Sequence, residues 1–578
     1  MASSLSASPK PGTADLENPL YYLENMETLL GWVRDHHGDL LTAEERDRLS
    51  GFFGLTTSAR ALLTRLVMRT GEDFRVDKLN YPELERPESQ AVEELLAGAW
   101  LDDQPLFSLD QVFRLHTLPE VRALSADVLS ELGLPKSLAK GVLREQLRPI
   151  FPEPRPLTRW PGQVRASVVR LNQMALFDRV RLMFFGNLRQ SWSDFVLVEL
   201  GHQRYETVPF TPASRAFGER ADVDCYLIMH RCRQWLDDGV PAAEVWPDVP
   251  AVPDNPWLVS RRDRLLLELG RLAERQGDRE LALGALADSG HREARLKQLR
   301  LLERMKRFKE AWVLATEWQQ HDLSDAEAQG LARILKRLSV KLGQPLPLVP
   351  ASPHWQPEAS LPPLTELRLK LPRPVSGSVE WAVAEHLTEA QAPVFYVENT
   401  LINGLFGLLC WSTLFEPLPG AFFHPFHTGP ADLTRDDFVS RRQAAFDRCF
   451  AALDDGSYRQ RIRDTFEAKQ GLANPFVIWP AISRELLELA LSCIPATDLA
   501  PLFRRLLANI RDHRSGFPDL IQFYPQAPVS EPGYRMIEVK GPGDRLQDHQ
   551  VRWLNFFADQ GMAASVCYVR WQDEGEPV

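Results

Sequence analysis

Cysteine is scarce in this sequence and is not arranged to bind a metal or to build a disulfide framework. The 578 residues include six scattered cysteines, and no two of them form a Cys-x-x-Cys pair. Zinc ribbons and small disulfide scaffolds need closely spaced cysteines. We therefore exclude both classes and expect a protein of a reducing compartment, the cytoplasm.

Long hydrophobic runs are also missing. The longest uncharged run covers residues 399–415, which is shorter than the roughly 20 residues that cross a bilayer, and it predicts a buried helix. Residues 1–19 are polar, contain proline and have no apolar core. They predict a disordered tail and no secretory signal, and no membrane partner is expected.

The sequence has no excess of positive charge and lacks the common nucleotide-binding loop. A formal charge of −11 excludes a protein that binds nucleic acid with its whole surface. Two stretches, 136–170 and 292–309, each hold eight Lys or Arg against two Glu; they are either DNA-backbone faces or solvated helix surfaces. No Gly-x-x-x-x-Gly-Lys-Ser/Thr loop and no Gly-x-Ser-x-Gly elbow is present, so no nucleotide cofactor and no serine nucleophile are expected.

The front of the chain is predicted to be helical. At this length several domains are expected, and residues 20–150 predict a helical or winged-helix unit in which Thr42 and Glu45 fit a capping box. Its second half, 108–147, predicts two short helices with a tight joint, similar to a SAP-type DNA-binding hairpin. The first domain is therefore interpreted as a DNA-binding region.

The middle of the chain predicts a helical repeat scaffold. Residues 165–343 are predicted to be helical throughout, and segments 271–282 and 301–311 look like copies of one unit. Their offset of about 30 residues is close to the tetratricopeptide period. Nine prolines between 345 and 374 predict a linker over 344–374, which leaves 375–578 as the last domain.

The last domain carries an acid, then acid-any-lysine, pattern. Pro518-Asp519 opens one apolar run, and Glu538-Val539-Lys540 closes a second. Alternate residues of a strand share a face, so Glu538 and Lys540 point together and Val539 packs away from them. Two carboxylates on neighbouring strands can bind a hard divalent cation, and a lysine beside them can orient an attacking water.

The flanking sequence predicts a β-β-α-β order. Strands are predicted at 519–524 and 534–539, a helix from Asp544 and a last strand at 563–570. This order is the core layout of restriction-type nucleases. The alternative is an ordinary α/β fragment with a surface ion pair between Glu538 and Lys540.

One other pair of residues has metal-like spacing. His424 and His427 are three residues apart, but Pro425 between them breaks the helix that would turn both rings the same way. We expect no metal site there.

Together these motifs resemble the Fanconi-anaemia-associated nuclease family, whose catalytic module is the VRR-Nuc domain. The similarity is tightest over 516–520 and 537–550, and it extends to further segments: 398–411, 438–442, 21–23 and 78–81. The resemblance, to a bacterial member, implies a multidomain, mainly α protein with a C-terminal α/β nuclease domain of the PD-(D/E)xK type. It also implies a SAP-containing front domain and a tetratricopeptide-like middle.

The resemblance implies roles for individual residues. Asp519, Glu538, the carbonyl of Val539 and Glu398 match metal ligands for Mg²⁺ or Mn²⁺, although a glutamate at a helix start is also favoured by the helix dipole. Lys540 matches the catalytic lysine. Supporting positions are matched by Asp544, Arg545 and Gln550, with Arg545 suited to the scissile phosphate. A 5′-phosphate pocket falls near Arg261, Arg262 and Arg264.

The implied activity is 5′-flap endonuclease and 5′-to-3′ exonuclease on branched or flapped double-stranded DNA, in interstrand cross-link repair near the nucleoid. A homodimer on DNA is left open. Two departures are the wide gap between Asp519 and Glu538, which predicts a longer hairpin, and the lack of a front-end zinc finger, so that ubiquitin-directed recruitment is not implied. The alternatives are a junction-resolving or restriction-type nuclease with the same core and a non-catalytic DNA-binding scaffold.

Overall fold

The computed structural model contains two compact units, residues 1–203 with 217–223 and residues 204–216 with 224–578. The residues it describes are 18–84, 88–131, 133, 135, 137–160, 167–190, 192, 204–321, 323–347, 365–374, 377–528 and 530–572. The predicted tail at 1–19 falls almost wholly outside them.

The first unit combines short helices with two small sheets. Its helices are Tyr21–His37, Ala43–Gly54, Thr57–Val67, Glu88–Ala97, Leu109–Leu115, Leu118–Leu124, Ala126–Glu131, Lys140–Leu147 and Met174–Phe185. Its strands are β1 (Asp73–Arg75), β2 (Leu101–Asp102), β3 (Leu106–Phe107), β4 (Arg155–Pro156) and β5 (Val168–Leu171). β5 pairs antiparallel with β1 and β2, and β3 pairs with β4.

Two predictions for the first unit can be judged directly. The capping box forms: the Thr42 amide donates to Glu45 Oε2 at 2.9 Å, and the Glu45 amide donates to Thr42 Oγ1 at 3.2 Å. The prediction of helix throughout 165–343 is wrong at β5. Val168 and Val169 are β-branched and buried, a pair that favours a strand, and β5 ties this segment to the front unit.

A run of helices follows, of which the first begins within residues 217–223 of the first unit and the others belong to the second unit, each of the later ones packed on the next along the chain. Their bounds are Arg220–Asp237, Ala242–Val245, Pro256–Gln276, Arg279–Asp288, Arg292–Arg304, Phe308–Trp318 and Asp325–Leu342. The packing is close: a Cβ at Gly270 would lie 2.9 Å from Leu286 Cγ. The two similar segments have the same local structure, since each contains a helix end, a residue of positive φ (Gly277, +90°; Lys306, +61°) and the next helix start.

The C-terminal part is built on a five-stranded sheet. Its strands are β6 (Thr365–Leu371), β7 (Val394–Tyr396), β8 (Leu520–Phe523), β9 (Tyr534–Lys540) and β10 (Ala564–Trp571), in the order β6-β10-β9-β8-β7. β6, β10 and β9 are parallel, and β8 is antiparallel to β9 and to β7. The helices are Val379–Leu387, Leu401–Leu409, Trp411–Leu414, Gln443–Asp454, Tyr458–Lys469, Arg484–Cys493, Ala496–Ala508, Ile510–His513 and Asp548–Asp559. The predicted β-β-α-β order is confirmed.

Two local predictions need correction. The linker over 344–374 is wrong at its end, because Thr365–Leu371 forms β6 and pairs in parallel with β10. The helix predicted from Asp544 begins at Asp548, since Asp544 instead closes a turn by accepting a 3.1 Å hydrogen bond from the Gly541 amide.

The uncharged run 399–415 forms two buried helices, Leu401–Leu409 and Trp411–Leu414. Within the described ranges no single helix has the length and apolar character to cross a membrane. One pair, Arg484–Cys493 with Ala496–Ala508, meets the length and composition requirement together but is bent by 108°.

Candidate active site

The central strands of the sheet place Asp519, Glu538 and Lys540 side by side. Asp519 lies directly before β8, and its Oδ2 accepts a 2.8 Å hydrogen bond from the Val539 amide of β9. On β9, Lys540 Nζ lies 2.7 Å from Glu538 Oε1. Val539 points to the opposite face and packs in a cluster with Leu520, as the alternation of a strand predicts.

These charged groups are almost inaccessible to solvent. Glu538 is 0% exposed, and Asp519 and Lys540 are each 8% exposed. Burial raises the pKa of Glu538 to about 7, with a further contribution from the charge of Asp519 and an opposing one from Lys540. Burial likewise raises the pKa of Asp519 to about 6, against the lowering effects of the Val539 amide and Lys540. The site therefore holds two carboxylates that are costly to ionise without a counter-charge.

The donor atoms fit a hard divalent cation. Apart from the ion pair with Lys540, neither oxygen of Glu538 has a hydrogen-bond donor among the described residues, although buried carboxylates normally have such partners. Carboxylates with a backbone carbonyl are the oxygen donors that such cations prefer. No three His, Cys, Asp or Glu side chains in the described part of the chain are already grouped tightly enough to hold an ion. The metal assignment therefore rests on the type of the donor atoms and on the missing hydrogen-bond donors of Glu538.

Glu398 lies beside this group, in the loop between β7 and the helix Leu401–Leu409. The Val397 amide donates to the Asp519 carbonyl at 2.8 Å, which fixes the loop next to Asp519. Asn399 has φ of +52°, and its Oδ1 accepts from the Phe517 amide at 3.2 Å. The first turn of the helix contains no acidic residue, so the helix-dipole interpretation of Glu398 is not favoured.

Two residues of this neighbourhood were missed by sequence reasoning. The Tyr396 hydroxyl donates a short hydrogen bond to Glu398 Oε2. Glu380 lies in the first turn of the helix Val379–Leu387, and its charge adds to the raised pKa of Asp519. The sequence signal that could have found Glu380 is the N-cap Ser378 two residues earlier, whose Oγ accepts from the Trp381 amide.

The predicted supporting residues lie after β9. Arg545 is exposed, and Gln550 is half-buried with its Oε1 accepting from the Gln547 amide at 2.9 Å. Gly516 has φ of +92°, and a Cβ there would lie 2.6 Å from His549 Cδ2. Glycine is therefore required where the chain enters β8 beside the helix Asp548–Asp559.

A second charged region occurs in the same unit. A pocket of about 460 Å³ is lined by Arg261 and Arg264 but not by Arg262, which donates to the Pro250 carbonyl at 2.8 Å. Further basic groups line it: His291, Arg292, Arg435 and Arg511. Burial lowers the pKa of Arg511, and the positive charges of Arg292 and Arg264 lower it further. Acidic residues line the same pocket, and Asp437 pairs with Arg435 at 2.8 Å.

The basic stretch 292–309 is only partly available for a phosphate. Arg292 faces the pocket, whereas Arg304 pairs with Glu274 and Arg307 pairs with Glu280 at 3.0 Å and with Glu310 at 2.5 Å.

His424 and His427 are half-buried and their rings are stacked 4.1 Å apart. Each accepts a hydrogen bond from a nearby backbone amide, and burial lowers the pKa of His427 to about 4.

Comparison with known proteins agrees with these observations. Family models match the VRR-NUC domain at residues 453–571, the FAN1 HTH domain at 20–102 and the Fanconi anemia-associated nuclease SAP domain at 106–160. The chain is 48% identical over 558 residues to the Fanconi-associated nuclease 1 homolog of Pseudomonas aeruginosa, across 96% of this chain and 97% of that protein. It is 23% identical over 665 residues to human Fanconi-associated nuclease 1, across 95% of this chain and 62% of that protein.

Solved structures give the same result. Crystal structures of paFAN1 bound to 5′-flap DNA with a gap, with flaps of 2 and 1 nucleotides, superpose with a TM-score of 0.79 at 47% identity. They cover 97% and 96% of this chain and 100% of paFAN1. The predicted fold class, mainly α with a C-terminal α/β nuclease domain, is confirmed. The chain belongs to the Fanconi-associated nuclease 1 family and is a divalent-metal-dependent DNA nuclease.

Proposed function

We propose that this nuclease is a 5′-flap endonuclease and 5′-to-3′ exonuclease on branched DNA, acting in interstrand cross-link repair. The observation that carries the proposal is the buried group of Asp519, Glu538 and Lys540 on adjacent strands. The flap as substrate is supported by paFAN1, whose crystal structures contain 5′-flap DNA with a gap. The assignment to cross-link repair follows the family resemblance.

The metal in this proposal is Mg²⁺ or Mn²⁺, held by Asp519, Glu538, the Val539 carbonyl and Glu398. When bound, it supplies an activated water and neutralises charge on the scissile phosphate. Lys540 aligns the attacking water from its position beside Glu538. The burial of all three side chains excludes bulk water, which strengthens each electrostatic interaction in the site.

The pocket lined by Arg261 and Arg264 is proposed to bind the 5′-terminal phosphate. The contacts of Arg262 with the Pro250 and Asp288 carbonyls make it a positioning residue for the loops around the pocket. Arg292 and Arg511 join the pocket instead. Arginines suit this role because their guanidinium groups bind phosphate oxygens in pairs.

The decisive experiment replaces Asp519 or Lys540 by Ala and measures cleavage of a labelled 5′-flap substrate. Loss of the metal ligand or of the water-orienting ammonium should lower the rate by about 10³-fold or more, with DNA affinity changed less than about twofold because phosphate contacts elsewhere dominate affinity. Asp559→Ala, at an exposed aspartate of the same domain, is the control. Near wild-type cleavage by Asp519→Ala would overturn the assignment.

Two further measurements separate the alternatives. Cutting that EDTA does not abolish would contradict the metal-assisted mechanism at Asp519 and Glu538. A panel of flaps, nicks and four-way junctions, with and without a 5′ phosphate, tests the substrate. A junction-resolving nuclease would prefer the four-way junction and ignore the 5′ phosphate.

A further inference from the structure

A groove with exposed aromatic walls lies at the edge strand β7, and one of its residues, Tyr396, contacts Glu398. It has a volume of about 620 Å³ and lies between the helix Val379–Leu387 and strand β7, with a lining that includes Trp381, Ala384, Thr388, Val394, Phe395 and Tyr396. Trp381 is 53% exposed and Tyr396 is 55% exposed. Large aromatic surfaces left open to water on a soluble domain indicate a binding site.

The groove is continuous with the active site through Tyr396. The ring of Tyr396 lines the groove, while its hydroxyl donates to Glu398. In the sheet, Tyr396 pairs with Leu520, the residue that follows Asp519. A group that seats against Tyr396 therefore lies one side chain away from Glu398, one of the proposed metal ligands.

The chemistry of the lining selects a flat, uncharged occupant. Among the described residues that line the groove, one side chain is charged, the carboxylate of Glu385, and none is Lys or Arg. A phosphate would be repelled there, because nothing offsets its charge. A nucleobase is suited to this groove, since it stacks on aromatic rings whatever its identity and its amino groups can donate to a carboxylate.

The backbone of Trp381 is fixed at the start of its helix. Its amide donates to the N-cap Ser378 Oγ at 3.3 Å, at the start of the helix. A Cβ at Gly377 would lie 3.4 Å from Trp381 Cε3, and Gly377 has φ of +112°. The backbone at Gly377 therefore passes beside one side of the indole, which lines the groove.

We propose that this groove is a nucleobase subsite, in which an unpaired base next to the scissile phosphate stacks on Trp381 and Tyr396. The subsite rests on the flap cleavage proposed above, because an unpaired base must be present near the cut. Seating the base against Tyr396 also positions Glu398 through the hydroxyl contact. Trp381 and Tyr396 thereby select for a strand whose bases are free to leave the stack.

The test places a single abasic nucleotide at each position around the cut in a 5′-flap substrate. With wild-type protein, one position should lower kcat by about tenfold, the typical effect of losing one base–aromatic stack. Trp381→Ala should lower kcat about tenfold on the unmodified flap and have no further effect on that one abasic flap. Trp381→Phe should restore most of the rate, and Ile478→Ala, at a residue 53% exposed, is the control.

Tyr396→Phe separates stacking from positioning. It keeps the ring and removes the hydroxyl, so the dependence of kcat on the position of the abasic nucleotide should match that of the wild type. The metal concentration for half-maximal rate should rise several-fold, because Glu398 loses its hydroxyl contact. An equal loss for Trp381→Ala on every substrate, or a flat abasic profile for the wild type, would overturn the subsite.

A binding readout keeps the test independent of cleavage. With Asp519→Ala protein, a 2-aminopurine at the sensitive position should lose fluorescence on binding through stacking, and the loss should be absent in the Asp519→Ala, Trp381→Ala double variant. Unchanged fluorescence in both would overturn the subsite. If wild-type protein fails to cut the flap, the flap proposal is wrong, and the same scan on the branched substrate that it does cut still decides the subsite.

Discussion

The catalytic site and the arginine pocket both concentrate like charges, but they do so in opposite ways. Around Asp519 and Glu538 the carboxylates are closed from solvent, and burial is the main cause of their raised pKa values. In the arginine pocket Arg511 is exposed, Arg261, Arg264 and Arg292 are only partly buried, and acidic residues share the lining. The buried carboxylates therefore suit a small divalent cation that has lost most of its hydration. The open pocket suits a group that keeps part of its hydration, such as a terminal phosphate.

The largest expected difference between the two regions concerns Glu538. Glu538→Gln keeps the shape of the side chain and removes its charge, so cleavage should fall by about 10³-fold or more as a metal ligand is lost. Cleavage of a labelled flap at saturating metal measures this. Asp559→Asn changes an exposed residue of the same domain and should cost far less. A similar loss for both variants would contradict the ranking.

The arginine pocket should affect substrate choice more than the chemical step. Arg264→Ala should lower the preference for a 5′-phosphorylated over a 5′-hydroxyl flap by about tenfold, the loss expected for one charge-assisted phosphate contact. Competition between the two flaps in one reaction gives the ratio directly. Arg271→Ala is the matched control, because Arg271 lies on the same helix but pairs with Glu293 outside the pocket.

An unchanged ratio in Arg264→Ala would remove the pocket from 5′-phosphate binding. A fall in rate on both flaps alike would instead assign Arg264 to general backbone attraction, which should then weaken with salt.

The same two regions differ in what sequence alone reveals. Glu538 and Lys540 are two residues apart on one strand, so the alternation of a strand was enough to place them together. The arginine pocket gathers residues from segments around 261, 291, 435 and 511, and no local pattern joins them. The sequence reasoning therefore included Arg262, which supports the pocket from outside, assigned Arg292 only to the separate basic stretch 292–309, and missed Arg511.

The fold shows the same division. β8, β9, the helix Asp548–Asp559 and β10 follow one another closely along the chain, and local patterns predicted all four. β6 was missed, although Thr365–Leu371 alternates polar and apolar residues, because prolines precede it and its partner β10 lies about 200 residues away. Glu398 was found only by resemblance, since its place beside Asp519 depends on the packing of the loop after β7.

The free energy of unfolding should depend on pH, because ionising the buried Glu538 is unfavourable in the folded protein. Glu538 has a pKa of about 7 in the folded protein against 4.5 for the ordinary group, so the folded state holds the proton more tightly. The free energy of unfolding should therefore fall as pH rises from about 4.5 to about 7 in EDTA. Glu538→Gln cannot ionise, so the margin in Tm of the variant relative to the wild type should grow over this range.

Added Mn²⁺ should shrink that margin, because the cation stabilises only the protein that retains Glu538. A margin in Tm that stays constant between pH 5 and 8 would show that ionisation of Glu538 does not cause the pH dependence of stability.

The smallest effect is expected at the open pocket. Arg511→Met removes one of several like charges while keeping the apolar stem, so the DNA-free protein should gain stability by about 0.5 kcal/mol, within the range of partly exposed charge interactions. The gain should disappear in high salt, which already screens the repulsion from Arg264 and Arg292. Thermal unfolding of the variant and wild type at low and high salt measures it. If Arg511→Met stabilised the protein as much as Glu538→Gln does, the arginine pocket would be as inaccessible to solvent as the catalytic site. The two regions would then differ only in the sign of their charge.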